Sequence, residues 1–317
     1  MTRYVAQRSI ESLIVLAVMS VVVYGLIGLM PGDPIDLMIN ANPNLTPADA
    51  ARLKALYGLD LPLYERYWNW LTAALGGDFG YSRLFSRPVL EVLPAYLGRT
   101  AILMGASFVL SVAIAIPTGI WAATRPYSRA DYVINLLSFA GISVAPFWLA
   151  LLLIMLFAVG LGWLPAGGMQ TVGLDSLADK AAHLVLPVLA LTLLSVAGVT
   201  RYVRAEMIGV LRQDYVRTAR AKGVPERQVV WRHGLRNALI PVVTVLALDF
   251  GALFSGALIT ETVFAYPGMG KLIYDAILGN DFNMALIGLL FATLLTLVGN
   301  LLADLAYAKL DPRISYG

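Results

Sequence analysis

The sequence predicts an all-α integral membrane protein with six transmembrane helices, both termini in the cytoplasm, and a helical periplasmic segment after the first span. Three observations carry that prediction. Of the 317 residues, 59% are hydrophobic and only 14% are charged, where a soluble domain carries about 25% charged residues. Six stretches are long and apolar enough to cross a bilayer. The basic residues gather on one side of those stretches.

A helix needs about 20 largely apolar residues to cross the hydrocarbon, because each backbone amide must be bonded within its own segment when no water is at hand. Ser12 to Met30 holds no charge and forms the first span, and Thr100 to Ala123 the second. Tyr132 to about Leu161 is long enough to cross as one tilted span, the third. Leu184 to Thr200 is the fourth, Ala238 to Thr260 the fifth with one acid inside it, and Phe282 to Ala303 the sixth. An even number puts both ends of the chain on one face of the membrane.

Of the 23 Lys and Arg residues, 15 lie on the side of the termini: in the N-terminus, the loop 124–131, the loop 201–236 and the tail. Six of the other eight lie in the long segment 31–99, where the bias counts for little. Both termini are therefore cytoplasmic. A cleaved signal is the competing reading of the first span, but Gly28, Leu29, Met30 and Pro31 offer no small-x-small site. The chain divides into 1–30, the N-terminus with the first span; 31–99, the periplasmic segment; and 100–317, the core with five spans.

In the periplasmic segment Pro31, Gly32, Asp33 and Pro34 stop the first span. Thr46, Pro47 and Asp49 make a helix start, with Gly58 after Tyr57 as its stop. A second helix runs from Pro62 to Leu75, with Tyr64, Tyr67, Trp68, Leu71 and Leu75 on one face. That stripe either packs on the outer ends of the spans or docks a substrate-delivering protein.

The most informative stretch follows the fourth span. Asp214 reads as an N-cap, Tyr215 to Lys222 as a short helix with Ala219 and Ala221 among its small residues, and Gly223 as a left-handed stop. Pro225 then opens a second helix with Glu226 in its first turn. A short helix whose small side chains allow close approach fits a groove on another protein, as mechanical coupling requires. Nearer the membrane, Arg201, Arg204 and Arg212 read as orientation charges and lipid headgroup contacts.

At this loop, Thr218, Ala219, Arg220, Ala221, Lys222 and Gly223, followed by His233, Leu235, Asn237 and Pro241, resemble the signature loop of ABC importer permeases. The likeness is to the peptide and nickel branch, B-type subunit. Elsewhere it rests on Gly58 to Asp60, on Pro62, Leu63, Tyr64, Tyr67 and Trp68, on Pro146 to Leu149, on Leu161 to Pro165, on Glu261 to Phe264, and on the tail Leu310 to Arg313 with Tyr316 and Gly317. The general loop begins Glu-Ala-Ala where this chain has Arg217, Thr218 and Ala219, and has Pro where Arg236 stands; both departures look like the B-type branch.

The resemblance implies a type I ABC importer permease fold in the bacterial inner membrane. It implies pairing with a second, C-type permease, two ATPase subunits and an extracytoplasmic substrate-binding protein. The coupling residues it points to are Tyr215, Thr218, Ala219, Arg220, Ala221, Lys222, Gly223, Pro225 and His233. Peptides are the expected cargo, with nickel, glutathione or another small solute as alternatives. ATP and Mg belong to the partner ATPases, and this chain is expected to bind no cofactor of its own.

The residues agree that catalysis lies elsewhere. Gly268, Gly270 and Lys271 approach a phosphate loop, but Leu272 follows them and position 265 is Ala. Cysteine is absent and only His183 and His233 are present, on opposite sides of the membrane, so disulfides, thiolate metal sites and a cysteine nucleophile are excluded. With a net charge of +3, nucleic acid is not an expected partner. Asp249 is the one acid in the middle of a span, where a charge must face protein or water; it serves either the translocation path or a bond to Ser or Thr on a neighbouring span. Glu261 reads as a helix-end or loop brace, with outer gating as the competing reading. Asp304 reads as a solvated helix end, and Pro117, Pro146 and Pro241 as packing kinks or hinges. An ATP-independent secondary transporter would show inverted repeats and several buried charges.

Overall fold

A backbone that leaves water must pair its amides within its own segment, and the computed structural model of this chain is built almost wholly of helices. It describes residues 2–29, 52 and 60–310. The expected helix around Thr46 to Gly58, the Pro31 to Pro34 turn and the tail beyond Leu310 lie outside the described residues, as does the side chain of Asp304.

Helix α1 is Thr2–Gly28 and α2 is Leu63–Leu75, followed by a two-residue antiparallel hairpin, β1 (Tyr81–Ser82) and β2 (Arg87–Pro88). Next come α3 (Val89–Thr124), α4 (Arg129–Ser143) and α5 (Pro146–Leu153), which runs on as a π-helical stretch, Ile154–Gly160. Then follow α6 (Leu177–Leu211), α7 (Asp214–Ala221) and α8 (Glu226–Gln228), a second π-helical stretch (Val229–Leu235), and α9 (Arg236–Val263). The last two helices are α10 (Met269–Leu278) and α11 (Phe282–Leu310).

Four described helices are long and apolar enough to cross a membrane: Ala6–Gly28 of α1, α3, α6 and Phe282–Leu301 of α11. The pair α4 and α5 makes a fifth only if its two bent pieces count as one. The expected fifth segment, Ala238 to Thr260, lies inside α9, which is helical throughout its 28 residues.

The third segment is not the single tilted rod expected from Tyr132 to about Leu161. Arg129–Ser143 and Pro146–Gly160 meet at 107°. The cause is local: the ring of a proline disfavours helical dihedrals at the residue before it. Ala145 is accordingly extended (φ −66°, ψ 137°), as is Val144 (φ −85°, ψ 129°), and Pro146 restarts the helix at its first turn. By contrast α3 runs through Pro117 and α9 through Pro241. Two helix starts carry their own caps: the Ser128 hydroxyl accepts the Asp131 amide, and the Ser176 hydroxyl accepts the Asp179 amide.

The chain divides into two compact units. In the first, made of described residues 2–5, 100–267 and 296–310, the core lies where α3, α6 and α9 meet around Ala115, Ile120, Val199, Val203, Met207 and Val242. Lipid tails are as apolar as Leu, so helices in a membrane associate through close packing of small residues and through polar bonds. Both occur here. A Cβ placed on Gly119 would meet the Val203 Cβ at 2.7 Å, and one on Gly141 would meet the Ala197 Cβ at 2.8 Å. The hydroxyls of Thr118 and Thr200 are 3.2 Å apart.

In the second unit, residues 6–29, 60–99 and 268–295, α2 packs on α1 through Tyr67 and Trp70 against Tyr24. The expected single stripe is thereby split. Tyr67 turns inward and is joined by Trp70, while Tyr64, Trp68 and Leu75 stay exposed. The face that touches α1 is set by positions 63, 67 and 70, and positions 64, 68 and 75 lie roughly a third of a turn away from it. The hairpin is pinned by Asp281, whose carboxylate accepts the Ser82 hydroxyl at 2.5 Å, the Leu84 amide at 3.0 Å and the Met284 amide of α11 at 3.2 Å.

Replacing Gly119 by Leu forces α3 and α6 apart. The expected loss is about 1–3 kcal/mol, the ordinary cost of overpacking, read as a lower thermal midpoint of the detergent-purified protein. An unchanged midpoint would show that the two helices do not pack at Gly119.

Candidate functional site

The loop between α6 and α9 is a closed structure with its own small core. α7 must bury one stripe to be held in place, and Val216 and Ala219 do this against Val229, with Leu211 and Val224 alongside. Ala219 is therefore 8% exposed and is not part of the outward surface expected of it. Thr218, Arg220, Ala221, Lys222, Gly223 and Pro225 are exposed as the sequence reading places them.

The helix start differs by one residue from expectation. Gln213 is the cap, extended at φ −71° and ψ 152°, and Asp214 is already in the first turn. There Asp214 suits the positive end of the helix dipole, and its backbone carbonyl accepts the Thr218 hydroxyl at 2.9 Å. The helix stop is as read. Gly223 has φ +77°; its amide donates to the Arg220 carbonyl at 3.0 Å, and the Val224 amide donates to the Ala219 carbonyl at 3.2 Å. Those two bonds with a left-handed glycine are a Schellman closure, and Val224 supplies its apolar contact.

A fork of two bonds ties the hook across its turn. Arg220 Nε donates to Glu226 Oε2 at 3.1 Å, and a terminal nitrogen of Arg220 donates to Oε1 at 2.7 Å. That guanidinium holds the Glu226 carboxyl below its ordinary pKa. On the other flank Asn237 joins two expected site residues: its side-chain amide donates to the Tyr215 hydroxyl at 3.1 Å and to the His233 carbonyl at 3.0 Å. His233 lies in the π-helical stretch that leads into α9. The structure thus gathers Tyr215, Arg220, Glu226, His233 and Asn237 into one frame, with Ala221 to Pro225 at its tip.

Beneath the hook, Arg204 has a partner inside the protein. Arg204 makes a forked pair with Asp131, 2.5 Å from Nε to Oδ1 and 2.7 Å from the terminal nitrogen to Oδ2. Side-chain exposure is 22% for Arg204 and 3% for Asp131. The remaining acceptor capacity of Asp131 takes the Tyr127 amide at 2.9 Å and the Asn135 side chain at 2.8 Å. Arg201 stacks over the Phe139 ring, 4.4 Å from its centroid. The pair with Asp131 gives Arg204 a partner within the protein, while Arg201 and Arg212 stay exposed. Asp131 escaped the sequence reading, although the Ser128-x-x-Asp131 start is a visible signal. Trp231 escaped it too; it is 52% exposed and shares a shallow depression with Arg227, Gln228 and Arg232.

Asp249 of α9 accepts a bond from the Ser195 hydroxyl of α6, and Ser195 lies 3.4 Å from the Ser111 hydroxyl of α3. Glu261, fully buried in the last turn of α9, accepts the Thr100 hydroxyl at 2.5 Å. Gly268, Gly270 and Lys271 form the start of α10, where Lys271 pairs with Asp275 at 2.7 Å. Among the described residues no cluster of three or more His, Asp or Glu stands close enough to hold a metal.

The family of binding-protein-dependent transport system inner membrane components matches residues 115–316, and the N-terminal region that accompanies it matches residues 1–91. The chain belongs to this family. It is 40% identical over 318 residues to the oligopeptide transport system permease protein AppB of Bacillus subtilis, covering 100% of both chains. It is 41% identical over 316 residues to a putative peptide permease of Brucella ovis, covering 99% of each. It is 38% identical over 316 residues to the glutathione transport system permease protein GsiC of Escherichia coli K12, covering 100% of each. The family and the apolar helices make this a multi-pass protein of the inner membrane.

Two outcomes are expected at the hook of this inner-membrane component. Gly223→Val places a branched side chain at a left-handed position, which costs about 1–2 kcal/mol; protection of the α7 amides from hydrogen exchange falls, and unaltered protection would refute the closure. Glu226 has a folded pKa lowered by Arg220. Its contribution is therefore present above the unfolded value of about 4.3 and is lost as pH falls through the lower folded value. Protection factors for the amides of residues 223–228 other than Pro225 stay level from neutral pH down to about 4.3 and fall as pH drops from there through the folded value, whereas in Glu226→Gln they start lower and show no such step.

Proposed function

We propose that this chain is a membrane-spanning permease subunit of an ATP-binding-cassette importer, and that with a related C-type permease it forms the path by which peptides enter the cell. The observation that carries the proposal is the braced hook between α6 and α9, on a chain that matches an oligopeptide permease along its whole length. A hook closed by backbone bonds, held across its turn by Arg220 and Glu226 and rooted in two long helices, moves those helices when it is moved.

The chain crosses the membrane six times in this reading: α1, α3, the bent pair α4 and α5, α6, α9 and α11. Both termini and the hook face the cytoplasm, in accord with the gathering of Lys and Arg on that side. The segment after α1 is periplasmic. Two ATPase subunits bind ATP and Mg, and each engages the hook of one permease. A binding protein delivers cargo from outside. ATP-driven closure of the ATPases draws the hooks together, and the spans rock between inward and outward openings, a two-state element biased by a ligand on another chain. The tip that engages the ATPase is Thr218, Arg220 to Gly223 and Pro225, while Tyr215, Ala219 and His233 shape it from behind.

Peptides are favoured by two of the three relatives, whose names state peptide transport. The third, a glutathione permease, supports glutathione as the second reading. For Asp249 the bond from Ser195 favours a tie between α6 and α9 over a place on the path.

Proteoliposomes holding this chain, a C-type permease, both ATPases and the binding protein are expected to take up labelled peptide only with ATP, and Ala221→Trp at the exposed tip is expected to abolish most of that uptake. Accumulation by vesicles containing this chain alone, with no ATPase, would overturn the proposal. In the same assay Asp249→Asn keeps the bond to Ser195 and retains uptake, whereas Asp249→Ala loses it; equal loss in both would place the charge on the path.

A further inference from the structure

We propose that α2 is a re-entrant helix lying in the outer lipid interface beside α1, its Tyr64, Trp68 and Leu75 face in contact with lipid rather than with a delivering protein. The inference rests on the topology proposed above, in which the end of α1 at Gly28 is its exit on the periplasmic side.

The register between the two helices sets the depth. A Cβ on Gly28 would meet Leu63 Cδ1 at 2.6 Å, which places the start of α2 at the exit of α1. One turn further in, Tyr24 packs on Tyr67 and Trp70, with ring centroids 5.4 Å and 5.6 Å away. Another turn in, Ser20 and the Tyr67 hydroxyl are 2.8 Å apart. Going inward along α1 therefore means going forward along α2, so the chain leaves the membrane and turns back down beside its own span. With 5.4 Å per turn, the contacts reach roughly one to two turns below the exit. An amphipathic helix at an interface sits about 5–10 Å into the headgroup and acyl boundary, and the register matches that depth.

What α2 shows to its surroundings fits the same place. Tyr64 is 70% exposed, Trp68 63% and Leu75 81%. With α1 crossing the bilayer in the proposed topology, lipid reaches the exposed α2 face beside it. Tyr and Trp are the residues that populate the boundary, with an apolar body and a polar tip. The charges of α2 lie in its first turn and are partnered: Glu65 accepts the Tyr64 hydroxyl at 3.0 Å, and the Arg66 side chain hydrogen-bonds Tyr24 of α1. Deeper, the Thr72 hydroxyl needs no water, since it donates back to the Trp68 and Asn69 carbonyls at 3.1 Å and 2.9 Å. A soluble protein docks above the headgroups and does not reach a face that lies beneath them.

The chain has no cysteine, so single cysteines report without background. Nitroxide labels are placed at Trp68→Cys and Leu75→Cys in the full-length chain, in lipid nanodiscs with the subunits it co-purifies with. Val18→Cys serves as the lipid reference and Val172→Cys, at a 99% exposed residue, as the water reference. Collision with oxygen and with a nickel chelate is expected to give Trp68 a depth of about 5–10 Å below the phosphates and Leu75 a greater one, with the chelate excluded from both as at Val18. Free access of the chelate, as at Val172, overturns the proposal, and so does protection from both reagents, which would mean a protein cover. Labelling Val172→Cys and Lys222→Cys in intact cells with an impermeant maleimide tests the topology separately. Labelling of Lys222 but not Val172 would overturn the orientation, whereas correct labelling with chelate-accessible α2 positions would overturn the re-entrant helix alone.

Discussion

A backbone amide without a partner in hydrocarbon costs several kcal/mol, and among the described residues the breaks in the helices are placed where that cost is met. The break between α4 and α5 is the clearest instance. Val144 and Ala145 leave the helical ladder ahead of Pro146, and the chain resumes at once with the proline in a first turn, where no amide is needed. Left-handed glycines sit in turns outside the long helices, and the one at Gly223 closes two carbonyls as it stops α7. Three hydroxyls along the helices are satisfied in the same way: Ser107 donates to Leu103, Thr118 to Ile114 and Thr262 to Leu258, each within its own helix.

With the backbone satisfied and no water to squeeze out, cohesion between helices falls to contact and polar bonds. In the first unit α6 receives most of them. It meets α4, α5 and α9, and its polar side chains are spent at successive depths: Ser195 on Asp249, Thr200 on Thr118, Arg204 on Asp131. Removing one member of a buried pair such as Arg204 and Asp131 leaves the other charge stranded, which is why such a pair fixes geometry even where its net stabilisation is small. α6 is thus gripped on several sides, and it leads directly into the hook. A displacement of α7 has few ways to dissipate before it reaches the helices bound to α6.

The sequence disclosed what local chemistry decides. Apolar runs marked the long helices, Gly223 marked the stop of α7, and Pro225 with Glu226 marked the next start, because each signal lies within a few residues of its effect. What it concealed depends on partners far along the chain. Arg204 looks like a headgroup contact until α4 folds back and presents Asp131, 73 residues earlier. The aromatic stripe of α2 looks uniform until α1 takes Tyr67 from it and adds Trp70 from outside it. Ala219 looks like surface because a short polar helix shows no core of its own, and its burial is created by Val229 across the turn. The bend at Val144 was written locally in Pro146, yet helical runs continue through Pro117 and Pro241, so a proline alone does not tell a break from a tolerated kink.

The hook gains its usefulness from the contrast between its two sides. Inward, Val216, Ala219, Val224 and Val229 make a small apolar core, and the forked bond between Arg220 and Glu226 crosses the turn. Outward, Ala221 and Gly223 present little bulk on either side of Lys222, so a partner surface approaches the backbone closely at those two positions. Were the core absent, α7 would be a single short helix below the length that holds in water, and pressure on its tip would unwind it. Were the tip bulky, a partner would grip side chains with many rotamers and lose motion to their flexing. A stiff back and a bare tip together let displacement pass into α6 and α9, and that is the property a coupling element must have.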